Sequence, residues 1–170
     1  MWIFAYGSLI FRPSFEYLER RPAFLPGWSR RFWQGSPDHR GVPGAPGRVV
    51  TLLPAEGEVC GGCAYRIDPV WADEVLAALD TREQAGFERL HLPVLDAPAG
   101  AAFAEALIYV AGATNPHFLG PLDEREIAAW IKTSEGPSGP NVDYLLQLQR
   151  ALAALGIVDE HVETIVMWLG

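Results

Sequence analysis

Apolar residues come in short runs over the first two thirds of the chain and at helical spacing over the last third. Trp2-Ile3-Phe4-Ala5 is an apolar run that stops at Tyr6-Gly7-Ser8. A bulky start, a glycine stop and Pro13 soon after favour a buried strand over a helix segment. Pro13 to Arg20 predicts a short helix with Phe15 and Leu18 on one side. Phe24, Trp28, Phe32 and Trp33 predict an extended segment over residues 22–36. Pro37, Gly41, Pro43, Gly44, Pro46 and Gly47 then mark a stiff loop centred on Asp38-His39-Arg40, the kind of loop on which binding residues often sit.

Strands at 48–53 and 59–67 are expected to pair as a hairpin. Asp68-Pro69 is a helix start, with Asp68 as N-cap and Pro69 in the first turn, and that helix runs to about Asp80 or Gln84. Residues 87–96 and 102–110 form a second hairpin around the turn at Pro98–Gly100. A loop at 111–121 leads to helices at 122–134, 141–155 and 158–168. The first two are separated by Gly136-Pro137-Ser138-Gly139-Pro140, and Gly156 ends the second. Strands first and helices last, with no repeat or domain boundary, predict one α+β domain over residues 1–170. Its helices would surround a mostly antiparallel sheet or partial barrel.

Composition narrows the function classes. The chain has 170 residues, 49% hydrophobic and 20% charged, as in ordinary globular proteins. No apolar run reaches the roughly 18 residues of a membrane span, and no charged and then apolar leader opens the chain. Cys60 and Cys63 alone give no disulfide framework, so a reducing, cytoplasmic setting is expected. The net charge of −8 argues against nucleic acid as a general partner. Its distribution is uneven: residues 1–50 hold seven arginines, no lysine and three acids, or +4, which leaves −12 for the rest. Arginine without lysine suits forked recognition of carboxylates, although pairing with acids elsewhere in the fold is the commoner fate of any one of them.

Candidate chemistry is sparse. Gly7 between Tyr6 and Ser8 lets backbone N–H groups approach a ligand. With the Ser8 hydroxyl they can form a nest for a carboxylate or a developing oxyanion; alone, the segment also reads as an ordinary turn. Glu83 continues the series Trp71, Val75, Leu79 and so stays on the inward face if the helix reaches it. Apolar neighbours and the negative end of the helix dipole would both raise its pKa, as general acid–base catalysis needs. A solvated glutamate beside Arg82 on a fraying helix end fits the same spacing, and on pattern alone that is the favoured reading.

Cys60-Gly61-Gly62-Cys63 lies in a predicted strand, where a spacing of three puts the two sulfurs on opposite faces. Structural cysteines are expected there instead of a redox pair. The four histidines show no metal-ligand spacing, Ser8 lies in no G-x-S-x-G, and no metal or cofactor is expected. Tyr109 and Tyr144 could each point a phenol into a cleft or into the core.

Tyr6-Gly7-Ser8-Leu9-Ile10 resembles the opening motif of the ChaC-type γ-glutamylcyclotransferases, the glutathione-specific branch. The resemblance continues through Ser29-Arg30-Arg31-Phe32-Trp33-Gln34-Gly35-Ser36, Asp38-His39-Arg40-Gly41-Val42-Pro43-Gly44 and Pro46-Gly47-Arg48-Val49-Val50-Thr51-Leu52. It extends to Leu79-Asp80-Thr81-Arg82-Glu83, Asn115-Pro116, Leu119-Gly120-Pro121 and Gly136 to Asn141 with Tyr144-Leu145. It spans roughly residues 1–150. The chain departs at Phe11, where the family usually has tryptophan. It departs again at Glu83-Gln84-Ala85-Gly86-Phe87, where a Glu-Lys-Gly-Gly-Tyr-like run is usual.

The resemblance implies intramolecular cyclisation of the γ-glutamyl group of glutathione, releasing 5-oxoproline and Cys-Gly. Glu83 becomes the catalytic residue. Substrate binding falls to Ile3, Phe4, Ala5, Tyr6, Gly7, Ser8 and Leu9, with Arg40, Tyr109 and Tyr144. A cytoplasmic monomer acting on a small molecule, away from membranes and nucleic acid, is the expectation. Cyclisation of other γ-glutamyl amines or amino acids, and a non-catalytic module binding γ-glutamyl compounds, stay open.

Overall fold

The computed structural model describes residues 1–83 and 86–170. Five strands close into a barrel: β1 (Trp2–Ala5), β2 (Glu19–Ser36), β3 (Gly47–Arg66), β4 (Phe87–Leu95) and β5 (Ala102–Ala111), in the order β1-β3-β2-β4-β5. Neighbours are antiparallel except β1 and β5, which run parallel where the barrel closes. Closure removes the exposed edges that a flat sheet would leave. The expected α+β class and mostly antiparallel sheet are both present.

Alternation along the strands divides the apolar residues into two groups. Phe4, Leu25, Leu52, Ala64, Val94, Ala106 and Ile108 pack together as strand residues only and fill the barrel. Ile3, Ala5, Cys63, Tyr65 and Leu107 face the other way, against the helices. Cys60 belongs to the first group and Cys63 to the second, so a spacing of three does put them on opposite faces. Both are buried free thiols, and burial pushes both thiol pKa values up.

Four helices cover the barrel: α1 (Ala72–Arg82), α2 (Glu124–Thr133), α3 (Asn141–Ala154) and α4 (Glu160–Trp168). A two-stranded ribbon, β6 (Glu135–Gly136) with β7 (Gly139–Pro140), fills the glycine- and proline-rich turn before α3. None of the described helices is long and apolar enough to cross a membrane.

Three local expectations fail, each for a physical reason. Residues 13–18 form no helix. Two isolated turns are marginal, and here the Leu18 N–H donates to the Arg66 carbonyl (2.8 Å), which starts the β2–β3 ladder instead. The expected strands 48–53 and 59–67 are one strand. The break survives only in the pairing, where residues 55–58 are passed over opposite Gly27, whose φ is +81°. Trp71 is 54% exposed. Asp68 does cap, its Oδ1 accepting from the Val70 N–H (2.9 Å), but the turn it starts, Pro69–Trp71, is 3₁₀. Three residues per turn put Trp71 out of phase with Val75 and Leu79 on α1, and those two are buried. The expected helix end at Gln84 lies outside the described residues; α1 ends at Arg82, with Glu83 closing it.

Candidate active site

The site sits where the turn after β1 meets the end of α1. The turn is built on its carbonyls. Gly7 O accepts from the Ile10 N–H (3.0 Å), and Ser8 O accepts from the N–H groups of Phe11 (3.2 Å) and Arg12 (2.7 Å). Tyr6 O accepts from Arg30 Nε (2.7 Å). Among the described residues no protein acceptor meets the N–H groups of Gly7, Ser8 or Leu9. Space is tight at position 7: a Cβ there would lie 3.0 Å from Val50 Cγ2 and 3.2 Å from the Tyr144 hydroxyl, so a side chain needs both neighbours to give by a few tenths of an ångström.

Glu83 stands at the C-terminal end of α1, its N–H bonded to the Leu79 carbonyl (2.9 Å). Its side chain is 17% exposed and its nearest cation is Arg82, with Nε 3.7 Å from Oε1. Burial raises its pKa, and Arg82 offsets this only in part. Arg82 also reaches the turn, donating from Nη2 to Ser8 Oγ (2.5 Å). One guanidinium thus joins the carboxylate to the turn. The Glu83 charge adds to burial in raising the Tyr6 and Tyr109 phenols, which puts both rings in its neighbourhood.

A second network fixes this end of α1. The Tyr109 hydroxyl donates to Asp80 Oδ1 (2.7 Å), and Arg89 donates to both Asp80 oxygens. The Tyr6 hydroxyl donates to the Tyr109 carbonyl (2.8 Å). Strands β4 and β5 therefore hold the last turn of α1, and the turn after β1 is tied to β5. On the opposite side Asn141, wholly buried, exchanges two hydrogen bonds with the backbone of Arg48 (2.7 and 2.8 Å). This pins the start of α3 to β3 and brings Tyr144, one turn on, to Val50 N (3.4 Å) and the edge of Gly7. Burial pushes the Tyr144 phenol up to about 12.

The expected site residues separate into three groups. Tyr6, Gly7, Ser8, Glu83, Tyr109 and Tyr144 come together. Arg40 joins them beside Tyr144, with its Cζ 5.8 Å from the ring centroid. It is buried, donates from Nη1 to the Pro140 carbonyl (3.1 Å), and has its guanidinium pKa lowered by burial and then by Arg12. Leu9 is half-buried, and its carbonyl takes the Tyr65 hydroxyl (2.7 Å). Ile3, Phe4 and Ala5 are core residues, each 1–2% exposed. Their side chains hold the strand and offer a ligand nothing, because strand alternation commits them to the two cores.

Of the other arginines in residues 30–48, Arg30 is wholly buried and fully engaged. Arg31 pairs with Glu58, and Arg48 is buried against Trp130. Phe11 packs edge-on against Tyr144 (5.7 Å), and Phe87 is half-buried on β4 against the helix-side core. Sequence reasoning overlooked the bridging place of Arg82 and the Asp80–Tyr109–Arg89 network. The only sequence signal was that Asp80, Arg82 and Glu83 share one helical turn.

The closed five-stranded barrel with helices packed against it is the γ-glutamylcyclotransferase fold. The chain superposes on a crystal structure of the glutathione-specific γ-glutamylcyclotransferase from yeast with a TM-score of 0.87. Identity is 31%, covering 99% of this chain and 96% of that one. Residues 1–169 match the model of the family described as ChaC-like protein, and the chain belongs to that family. It is 44% identical to γ-glutamylcyclotransferase 2-3 of Arabidopsis thaliana, over 95% of this chain and 84% of the relative. It is 40% identical to human glutathione-specific γ-glutamylcyclotransferase 1, over 100% of this chain and 78% of the relative.

Proposed function

We propose that this protein degrades glutathione by cyclising its γ-glutamyl group. The α-amine attacks the γ-carbonyl carbon, a five-membered lactam forms, the C–N bond to cysteine breaks, and 5-oxoproline and Cys-Gly leave. The substrate carries its own nucleophile, so the protein's tasks are positioning, proton transfer and charge stabilisation. Glu83 takes the proton from the attacking amine and returns it to the departing nitrogen, a role that contributes about 10²–10⁴ in rate. The N–H groups of Gly7 and Ser8 receive the oxyanion of the tetrahedral intermediate, each worth about 3 kcal/mol. Arg40, with one donor engaged and its charge held among buried groups, is suited to a substrate carboxylate. Tyr144 packs beside Gly7, and Tyr109 acts through Asp80 by holding α1.

The observation that carries this reading is the half-buried Glu83, tied through Arg82 to a turn whose N–H groups have no acceptor among the described residues. The names of the relatives point to the same substrate. Residues 1–170 act in this reading as one catalytic domain, monomeric and cytoplasmic. The test is release of 5-oxoproline and Cys-Gly from reduced glutathione by purified protein, beside γ-glutamyl amines and γ-glutamyl amino acids. Turnover of glutathione well above the others is expected. Preference for another γ-glutamyl compound would move the substrate, and inertness toward all of them would leave only a binding module.

A further inference from the structure

Three successive peptides, 6–7, 7–8 and 8–9, place the N–H groups of Gly7, Ser8 and Leu9. In a trans peptide the C=O and N–H point in opposite directions, and the described chain contains no cis bond. Fixing each carbonyl therefore aims the N–H that follows it. The Gly7 and Ser8 carbonyls are fixed locally, by N–H groups of residues 10–12. Among the described residues no local donor reaches the Tyr6 carbonyl. Its hydrogen bond comes from β2, two strands away in the barrel, from Arg30 Nε at 2.7 Å.

Arg30 is unusual for an arginine in having no exposed side-chain surface. All three of its nitrogens are engaged: besides Nε, Nη1 donates to Asp159 Oδ2 (2.5 Å) and Nη2 to the Gly61 carbonyl (2.5 Å). Asp159 is the N-cap of α4, its other oxygen accepting from the Val162 N–H (3.1 Å). A guanidinium held at three corners has one orientation available to it. A lysine ammonium in its place cannot reach three acceptors that diverge around a planar fork.

We propose that Arg30 is a positioning residue for the reaction: by holding the Tyr6 carbonyl it turns the Gly7 N–H toward the reacting carbonyl. This rests on the cyclisation reading above. Arg30 itself touches no substrate. Its effect belongs to the transition state more than to glutathione binding, since an oxyanion donor engages fully only when the charge forms.

The test is kcat and KM measured separately for Arg30→Lys and Asp159→Asn, with thermal melts. Arg30→Lys is expected to lower kcat about tenfold or more while KM stays within about threefold. Asp159→Asn removes the ion pair but leaves Nε on Tyr6, so it melts lower yet keeps kcat within about threefold. A folded Arg30→Lys with wild-type kcat overturns the proposal, and so does an equal kcat loss in both variants at equal loss of stability. If Arg30→Lys fails to fold, the ¹⁵N-glycine-labelled wild type carries the test. The Gly7 amide proton should move downfield on addition of 5-oxoproline, and an unmoved signal overturns the proposal. Wild-type turnover in the same series separates the two claims. Its absence sinks the cyclisation reading, whereas turnover with an indifferent Arg30→Lys sinks this inference alone.

Discussion

Asp80 and Glu83 lie three residues apart near the end of one helix, yet their surroundings differ. Asp80 is 43% exposed and takes both arms of Arg89 and the Tyr109 hydroxyl. Glu83 is 17% exposed and has one arginine, at 3.7 Å. A carboxylate already given water, a phenol and a guanidinium is a structural anchor. A carboxylate deprived of water and poorly compensated has its pKa raised by burial, which suits the proton transfer proposed for Glu83. Residue type does not separate the two roles; the number of partners and the access of water do.

The comparison breaks most sharply if the two residues respond alike. Glu83→Gln is expected to lower kcat at least about 10²-fold in a folded protein. Asp80→Asn should cost about tenfold or less, because it loosens the helix and leaves the proposed base in place. Equal losses from the two variants would mean that neither carboxylate is special. Next comes Gly7→Ala. The added methyl meets Val50 and the Tyr144 hydroxyl, and displacement of the turn should cost about ten- to a hundredfold in kcat/KM. An unaffected enzyme would remove the turn from the mechanism.

Smaller, and sharper in sign, is the effect on stability. Burial favours protonated Glu83, so the folded chain holds that proton more tightly than the unfolded chain. The stability this brings is complete at acid pH, below the unfolded value of about 4.3, and is lost as pH rises through the folded value. Glu83→Gln stays neutral throughout. It should therefore melt above wild type at neutral pH, with the gap closing in acid; calorimetry at two pH values decides. The smallest effect is expected at the cysteines. Cys60→Ala with Cys63→Ala should keep glutathione turnover within about twofold, since the thiols lie in separate cores. Loss of activity in a folded double variant would revive a redox role.

Much of this architecture is legible in the sequence where local chemistry decides it. The hairpin turn at Pro98–Gly100, the Asp68 cap, the helical spacing after residue 122 and the alternation that separates Cys60 from Cys63 are all local. What is not legible depends on distant partners. Nothing near Pro13 says that the segment will pair with β3. The spacing that makes Trp71 inward assumes an α-helix where the chain makes a 3₁₀ turn first. The raised pKa of Glu83 depends on its burial, which helical spacing alone does not fix. The place of Arg30 is the extreme case, because its three acceptors lie 24, 31 and 129 positions away along the chain. A cluster of arginines in residues 1–50 suggests carboxylate recognition, and the fold instead spends most of those between 30 and 48 on its own carbonyls and acids.

The most direct test of the central claim is the pH dependence of kcat/KM with glutathione, measured for wild type and for Arg82→Met over the range in which both stay folded. The account predicts an acid limb in wild type with a midpoint above the ordinary glutamate value of about 4.3, since burial holds Glu83 protonated longer. Removing Arg82 takes away the cation that offsets burial, so the limb should move to higher pH in the variant. A limb at the ordinary value, or one that does not move when Arg82 is lost, would contradict the assignment of Glu83 as the buried base.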